Sequence, residues 1–200
     1  AIYNGTTKNI MLHRAKDYLL DTSFQSITGS TSLLRVATGT ATDRLAQGVV
    51  FPSAGKLEFI DVRLVRVGAV SGRVWFSIQE SSGGDATGTA LATSDKIDAA
   101  LISPSAQIIR VVFRSPFTIV ATVQYHLVME GDYTRSDTVG IHWYGDPAGG
   151  YVNGVARAFN GAAWANVSGI GDFYFKAYIT KNDTAVTMPT GYTKKASVGY

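Results

Sequence analysis

Val139 to Ile179 reads VGIHWYGDPAGGYVNGVARAFNGAAWANVSGIGDFYFKAYI, and this stretch decides the fold. Short runs of aromatic and β-branched residues alternate with Gly, Asn and Asp, the punctuation of strands joined by turns. Little here can do covalent chemistry, whereas much of it can pack, display or adhere. The expectation is a surface or assembly module and not an enzyme.

Upstream the same grammar continues. From Leu57 to Val67 the residues alternate, so Ile60, Val62 and Leu64 should face a core with Asp61 and Arg63 on the opposite face. Gly68 to Gly72 reads as a hairpin connection, and Arg73 to Gln79 as a strand with Val74, Phe76 and Ile78 inward. Ser81 to Gly88 reads as a polar surface loop, and Asp95 to Leu101 as a short strand with one helical turn. Further strands are predicted at Gln107 to Phe113, Gln124 to Glu130, Thr138 to Tyr144, Tyr151 to Phe159 and Asp172 to Ile179. Short strands at this spacing predict an all-β, antiparallel jelly-roll sandwich over 48–180. Residues 1–47, rich in Thr and Ser, read as an N-terminal arm or small subdomain; Met11 to Leu20 has near-helical apolar spacing but equally suits an extended arm. Residues 181–200 read as a C-terminal extension that needs a neighbour to stay ordered.

Composition narrows the function classes. The 200 residues are 46% hydrophobic and only 16% charged, enough for one core under a surface of Thr, Ser, Asn and Gly. There is no cysteine, which excludes disulfides, thiolate metal sites and a Cys nucleophile. The net charge is +3, and the arginines (Arg63, Arg66, Arg73, Arg110, Arg114, Arg135, Arg157) are scattered, so nucleic acid is not an expected partner. Apolar runs are broken by Arg within a few residues, so no membrane-spanning helix is expected. The opening Ala1-Ile2-Tyr3 suits a cytosolic product trimmed of its Met, with a mature secreted chain as the alternative.

Candidate chemistry is sparse. His13, His126 and His142 have no metal-site spacing. Glu130, Asp132, Asp137, Asp146, Asp172 and Asp183 fall mostly at turns, where they cap backbone; a glycosidase pair among them is a distant reading. Asp132, Asp137, Asp146 and Asp172 are the available calcium ligands, without the tight spacing that would mark a site, so metal binding stays open. No cofactor motif occurs. Trp143, Tyr144, Tyr151 and Trp164, with Phe159 nearby, are the sharpest binding candidates, because a flat ring beside Asn, Asp and Gly suits a sugar face. The competing role for these rings is to plug the sandwich ends or fill a subunit interface.

The segments FPSAGKL (51–57), GTALATS (88–94), VFRSPF (112–117), QYHLVM (124–129), IHWY (141–144), NGAAW (160–164) and DFYFKAY (172–178) occur in this order. The chain thereby resembles a jelly-roll β-sandwich domain of the anchor-associated type, seen in phage structural proteins and bacterial surface proteins. The tail MPTGYTKKASVGY (188–200) resembles a segment of phage tail and fibre proteins. The resemblance implies a non-catalytic virion structural protein of a tailed bacteriophage: a head decoration, fibre or tail component. Its implied partners are other virion proteins and copies of itself, a trimer being one symmetric arrangement, with host-surface glycans as a further partner. The alternative is a carbohydrate-binding adhesin module.

Overall fold

The computed structural model describes residues 18–26 and 44–180 except Thr134 and Asp137, plus the backbone of the short strand segments Ile2–Asn4, Thr7–Asn9, Ser30–Leu34, Val36–Ala37 and Thr40–Ala41. In chain order the main strands are β1 (Tyr18–Phe24), β2 (Ser30–Leu34), β3 (Arg44–Val50), β4 (Gly55–Val67), β5 (Arg73–Ser82) and β6 (Asp85–Thr93). They continue as β7 (Gln107–Ile119), β8 (Gln124–Gly131), β9 (Gly140–Asp146), β10 (Ala156–Phe159), β11 (Trp164–Asn166) and β12 (Phe175–Thr180). A 3-10 turn at Ala99–Leu101 is capped by the Asp98 side chain, which accepts from the Ala100 N–H.

Two antiparallel sheets pack face to face, and the chain is an all-β sandwich. The front sheet runs β6-β5-β8-β3-β10-β11. The back sheet is organised on the long strand β4, which pairs with β7 on one edge. Its other edge is shared: β12 takes the first half and β9 the second. β1 lies outside β12, and β2 outside β9. Most connections carry the chain from one sheet to the other, and β8 inserts between β3 and β5, as jelly-roll winding requires.

Four readings made from sequence are revised by this arrangement. The edge set between residues 47 and 48 falls inside β3, an interior strand of the front sheet, so Arg44 to Gln47 belong to the sandwich. β1 joins the back sheet as well, and Tyr18 to Leu20 of the helix-like segment are extended there; the rest of that segment lies outside the described residues. Gly68 to Gly72 is not a hairpin but a crossover between sheets. Gly72 has φ +109°, and a Cβ there would lie 2.6 Å from the Tyr133 backbone, so only glycine fits. Conversely, Ser81 to Gly88 holds a two-residue hairpin turn: Ser82 pairs with Asp85 across Gly83 and Gly84, both with positive φ.

The inner faces follow the alternation read from sequence. Ile60, Val62 and Leu64 of β4 meet Val74, Phe76 and Ile78 of β5 in one core with Leu45, Val49, Leu127 and Met129. Trp143 lies at its centre, fully buried, stacked on Phe173 at 4.5 Å and edge-on to Phe76 at 5.0 Å. Its indole N–H donates to the Tyr174 carbonyl at 2.8 Å, so its one polar atom is satisfied. On the outer face of β4, Asp61 accepts both guanidinium bonds of Arg110, which in turn lies 4.0 Å over the Phe59 ring.

Candidate functional site

The outer face of the front sheet carries the most organised set of functional side chains. Because directly paired residues project from the same face, the register lines them up in ladders across the strands. The first ladder runs Trp75 (β5), Glu130 (β8), Arg44 (β3), Phe159 (β10), Trp164 (β11). Glu130 and Arg44 are the next pair beyond Met129 and Leu45. The second ladder is Ser77, Val128, Ala46, Arg157 and Asn166. The third is Gln79, His126 and Gly48.

The tip of the β5–β6 hairpin curls back over the second and third ladders. Asp85 pairs there with Arg157, whose Nε donates to the carboxylate at 2.7 Å. Ala86 packs with Ala46, Val128 and Trp164. His126 hydrogen-bonds the Gly84 backbone and is only 1% exposed, with no partner for its Nδ1. Burial pushes its pKa down to about 4, against the opposing pull of the Gly84 bond and of Asp85, while nearby Arg157 adds a smaller push downward.

The first ladder is left half-buried and open. The Trp75 indole N–H donates to Glu130 at 3.3 Å, and Lys96 Nζ lies 4.0 Å over its ring. Glu130 also accepts from Ser77 at 2.7 Å and Gln79 at 3.3 Å. Arg44 lies 4.2 Å over the Phe159 ring, which tilts against Trp164 at 5.2 Å. Sequence reasoning singled out Trp164 and Phe159 here, weighed Glu130 only as a distant glycosidase carboxylate, and passed over Trp75 and Arg44. The signal was present, since Val74 and Phe76 inward places Trp75 outward.

The four aromatic residues singled out from sequence are not brought together. Trp143 is core, and its ring is unavailable to a ligand. Tyr144 lies on the outer face of the back sheet, with Arg63 5.4 Å over its ring. The Tyr151 hydroxyl is committed within the fold: it accepts from Val50 N–H at 3.0 Å, donates to Val50 O at 3.1 Å and meets Thr22 at 3.0 Å. Only Trp164 joins the open ladder.

Asp172 and Asp146 hold backbone and neighbouring side chains. Asp172 accepts from Gly150 N–H and Tyr151 N–H at 3.0 Å and from Gln47 at 2.9 Å; Gln47 also accepts from Phe173 N–H. Asp146 accepts from the Ser26 hydroxyl and from Ala148 N–H. Together they pin the glycine-rich 146–155 loop, the cap role that Asp residues play at turns. Among the described residues, no group of three or more His, Asp or Glu could hold a metal ion. His13, Asp137 and Asp183 lie outside the described residues. His142 stands apart from His126 on the back sheet, where burial pushes its pKa down to about 4.

A second surface feature sits at one end of the sandwich. Val120 and Val123 flank one turn and Val152 and Val155 another, all exposed, Val152 to 92%. The loops are joined by Gln124 donating to Asn153 O, and Gly48 N–H reaches Val155 O at 3.1 Å. No family model, curated protein or solved structure matches the chain. Among the described residues no helix is long and apolar enough to cross a membrane.

Proposed function

We propose that the protein is a non-catalytic structural component of a tailed-phage particle, a head decoration, fibre or tail protein, working by assembly and adhesion. The observation that carries this reading is that four exposed valines, Val120, Val123, Val152 and Val155, flank two loops that Gln124 joins by its bond to Asn153 O. Exposed apolar side chains on neighbouring, hydrogen-bonded loops favour burial against a partner. The neighbours are copies of the chain and other virion proteins, which suits the phage-like tail at 188–200. The open aromatic ladder favours a second reading, a carbohydrate-binding adhesin, in which the same sandwich holds a glycan.

Sedimentation of the purified chain, with immunogold labelling of particles from a lysate that expresses it, tests the first reading. The expected results are concentration-dependent oligomers and label on particles. Val152→Asp with Val123→Asp should shift the chain to monomer and leave a cooperative unfolding transition whose midpoint no longer depends on protein concentration. A chain that stays monomeric at every concentration and labels no particle sinks the proposal.

A further inference from the structure

We infer that the open ladder Trp75–Glu130–Arg44–Phe159–Trp164 is a groove for an uncharged pyranose oligosaccharide laid across the strands. The inference deepens the adhesive part of the proposed function and assigns it to residues on five adjacent strands. Four interstrand steps separate Trp75 from Trp164, roughly 19 Å at the usual strand spacing, the reach of a short oligosaccharide. Aromatic rings stand at both ends, with a hydrogen-bond acceptor and a donor between them. A sugar chain needs that order: apolar ring faces for its C–H surfaces, and polar groups for its hydroxyls.

The rings are held before any ligand arrives. Trp75 is fixed by its bond to Glu130 and by Lys96 over its face. Phe159 is held between Arg44 and Trp164. Fixed rings lose little freedom on binding, which lowers the cost of association. The hairpin flap closes the second and third ladders, so it forms a wall along one side of the open strip.

Charge selects the class of occupant. The acids around the strip are Glu130, Asp85, Asp132 and Asp98, and the cations are Arg44, Arg157, Lys96 and Arg73, which shares the outward face of Trp75 and lies opposite Asp98. Arg157 is engaged by Asp85, and Lys96 lies 3.9 Å from Asp132. This balance disfavours a polyanion such as nucleic acid, which needs a surplus of cations. A protein neighbour fits the valine-lined end better, because the ladder interleaves charges with its rings.

The chain has three tryptophans, and one of them is an internal control. Nitrogen-labelled full-length chain would be titrated with soluble cello-, malto-, chito- and manno-oligosaccharides to millimolar concentration, following the indole N–H signals. Saturable shifts are expected for Trp75 and Trp164 with at least one sugar, while Trp143, bonded to Tyr174 inside the core, stays still. Trp75→Ala and Glu130→Gln should each weaken binding about three- to tenfold, measured where unfolding curves show each variant still fully folded, since Glu130 also holds Ser77 and Gln79. The groove is refuted if no sugar moves either signal, or if Trp75→Ala binds as tightly as the parent. It is equally refuted if the two signals move with protein concentration alone, which would make the face a subunit contact. The valine variants report on assembly separately, so either proposal can fail without the other.

Discussion

Acidification should destabilise this protein through histidines that the fold keeps neutral. An ordinary histidine titrates near ~6.5. Burial pushes His126 and His142 down to about 4 in the folded chain. Above ~6.5 both rings are neutral in both states, and the native state has its full stability. Between ~6.5 and about 4 the unfolded chain takes up protons that the folded chain refuses, so stability falls as pH falls. Below about 4 the folded rings protonate too, and their contribution levels off. Each proton of difference is worth ~1.4 kcal/mol per pH unit, so at pH ~5 each ring has cost about 2 kcal/mol. His126, only 1% exposed beneath the hairpin tip, should approach that figure, and the more open His142 should fall short of it. The sum is a sizeable part of the ~5–15 kcal/mol that stabilises a typical domain. Carboxylates titrate mostly below this window, so its upper part belongs to the histidines. The assay is urea unfolding at about pH 7 and about pH 5 for the parent chain, His126→Gln and His142→Gln. His126→Gln should lower stability at neutral pH yet lose about 2 kcal/mol less than the parent on acidification. If parent and variant show the same loss, His126 is not held neutral by burial and the reasoning fails.

Three further outcomes follow from the packing. Trp143→Ala removes the ring stacked on Phe173 and strands the Tyr174 carbonyl; a loss of about 3–5 kcal/mol is expected in urea unfolding, and one below ~1 kcal/mol would contradict its central place. Asp172→Ala leaves Gln47 and the Gly150 and Tyr151 N–H groups without their acceptor. It should cost about 3 kcal/mol or more and raise amide exchange across 146–155; unchanged exchange would mean the loop is held by other contacts. Gly154→Ala would place a Cβ 2.1 Å from Gly48 O, so a fall in Tm of several degrees is expected, and an unchanged Tm would show that the loop shifts freely.

The fold was largely legible because alternation is a local signal. Ile60, Val62 and Leu64, then Val74, Phe76 and Ile78, face the core as their phase required. The connections were less legible. Gly68 to Gly72 and Gly83-Gly84 both look like glycine-rich punctuation, yet one crosses the sandwich and the other closes a hairpin. Which strand receives the chain next depends on pairing partners far away in sequence. The same limit blurred the binding residues: Trp143 and Trp164 look alike as turn-flanked tryptophans, but one is core and the other lies on the outer face.

The sequence alone determined that this chain is an all-β sandwich, that it lacks thiol chemistry, and which residues along each strand share a face. Those properties follow from period-two patterning and composition, which need no partner strand to be read. The tertiary structure alone decided that Trp75, Glu130, Arg44, Phe159 and Trp164 form one ladder, that His126 lies beneath a folded hairpin, and that Asp172 is a clamp. Each of these depends on register between strands distant in sequence. Register is set by the whole sheet closing over its core, because moving a strand by one residue would turn every side chain on it to the other face.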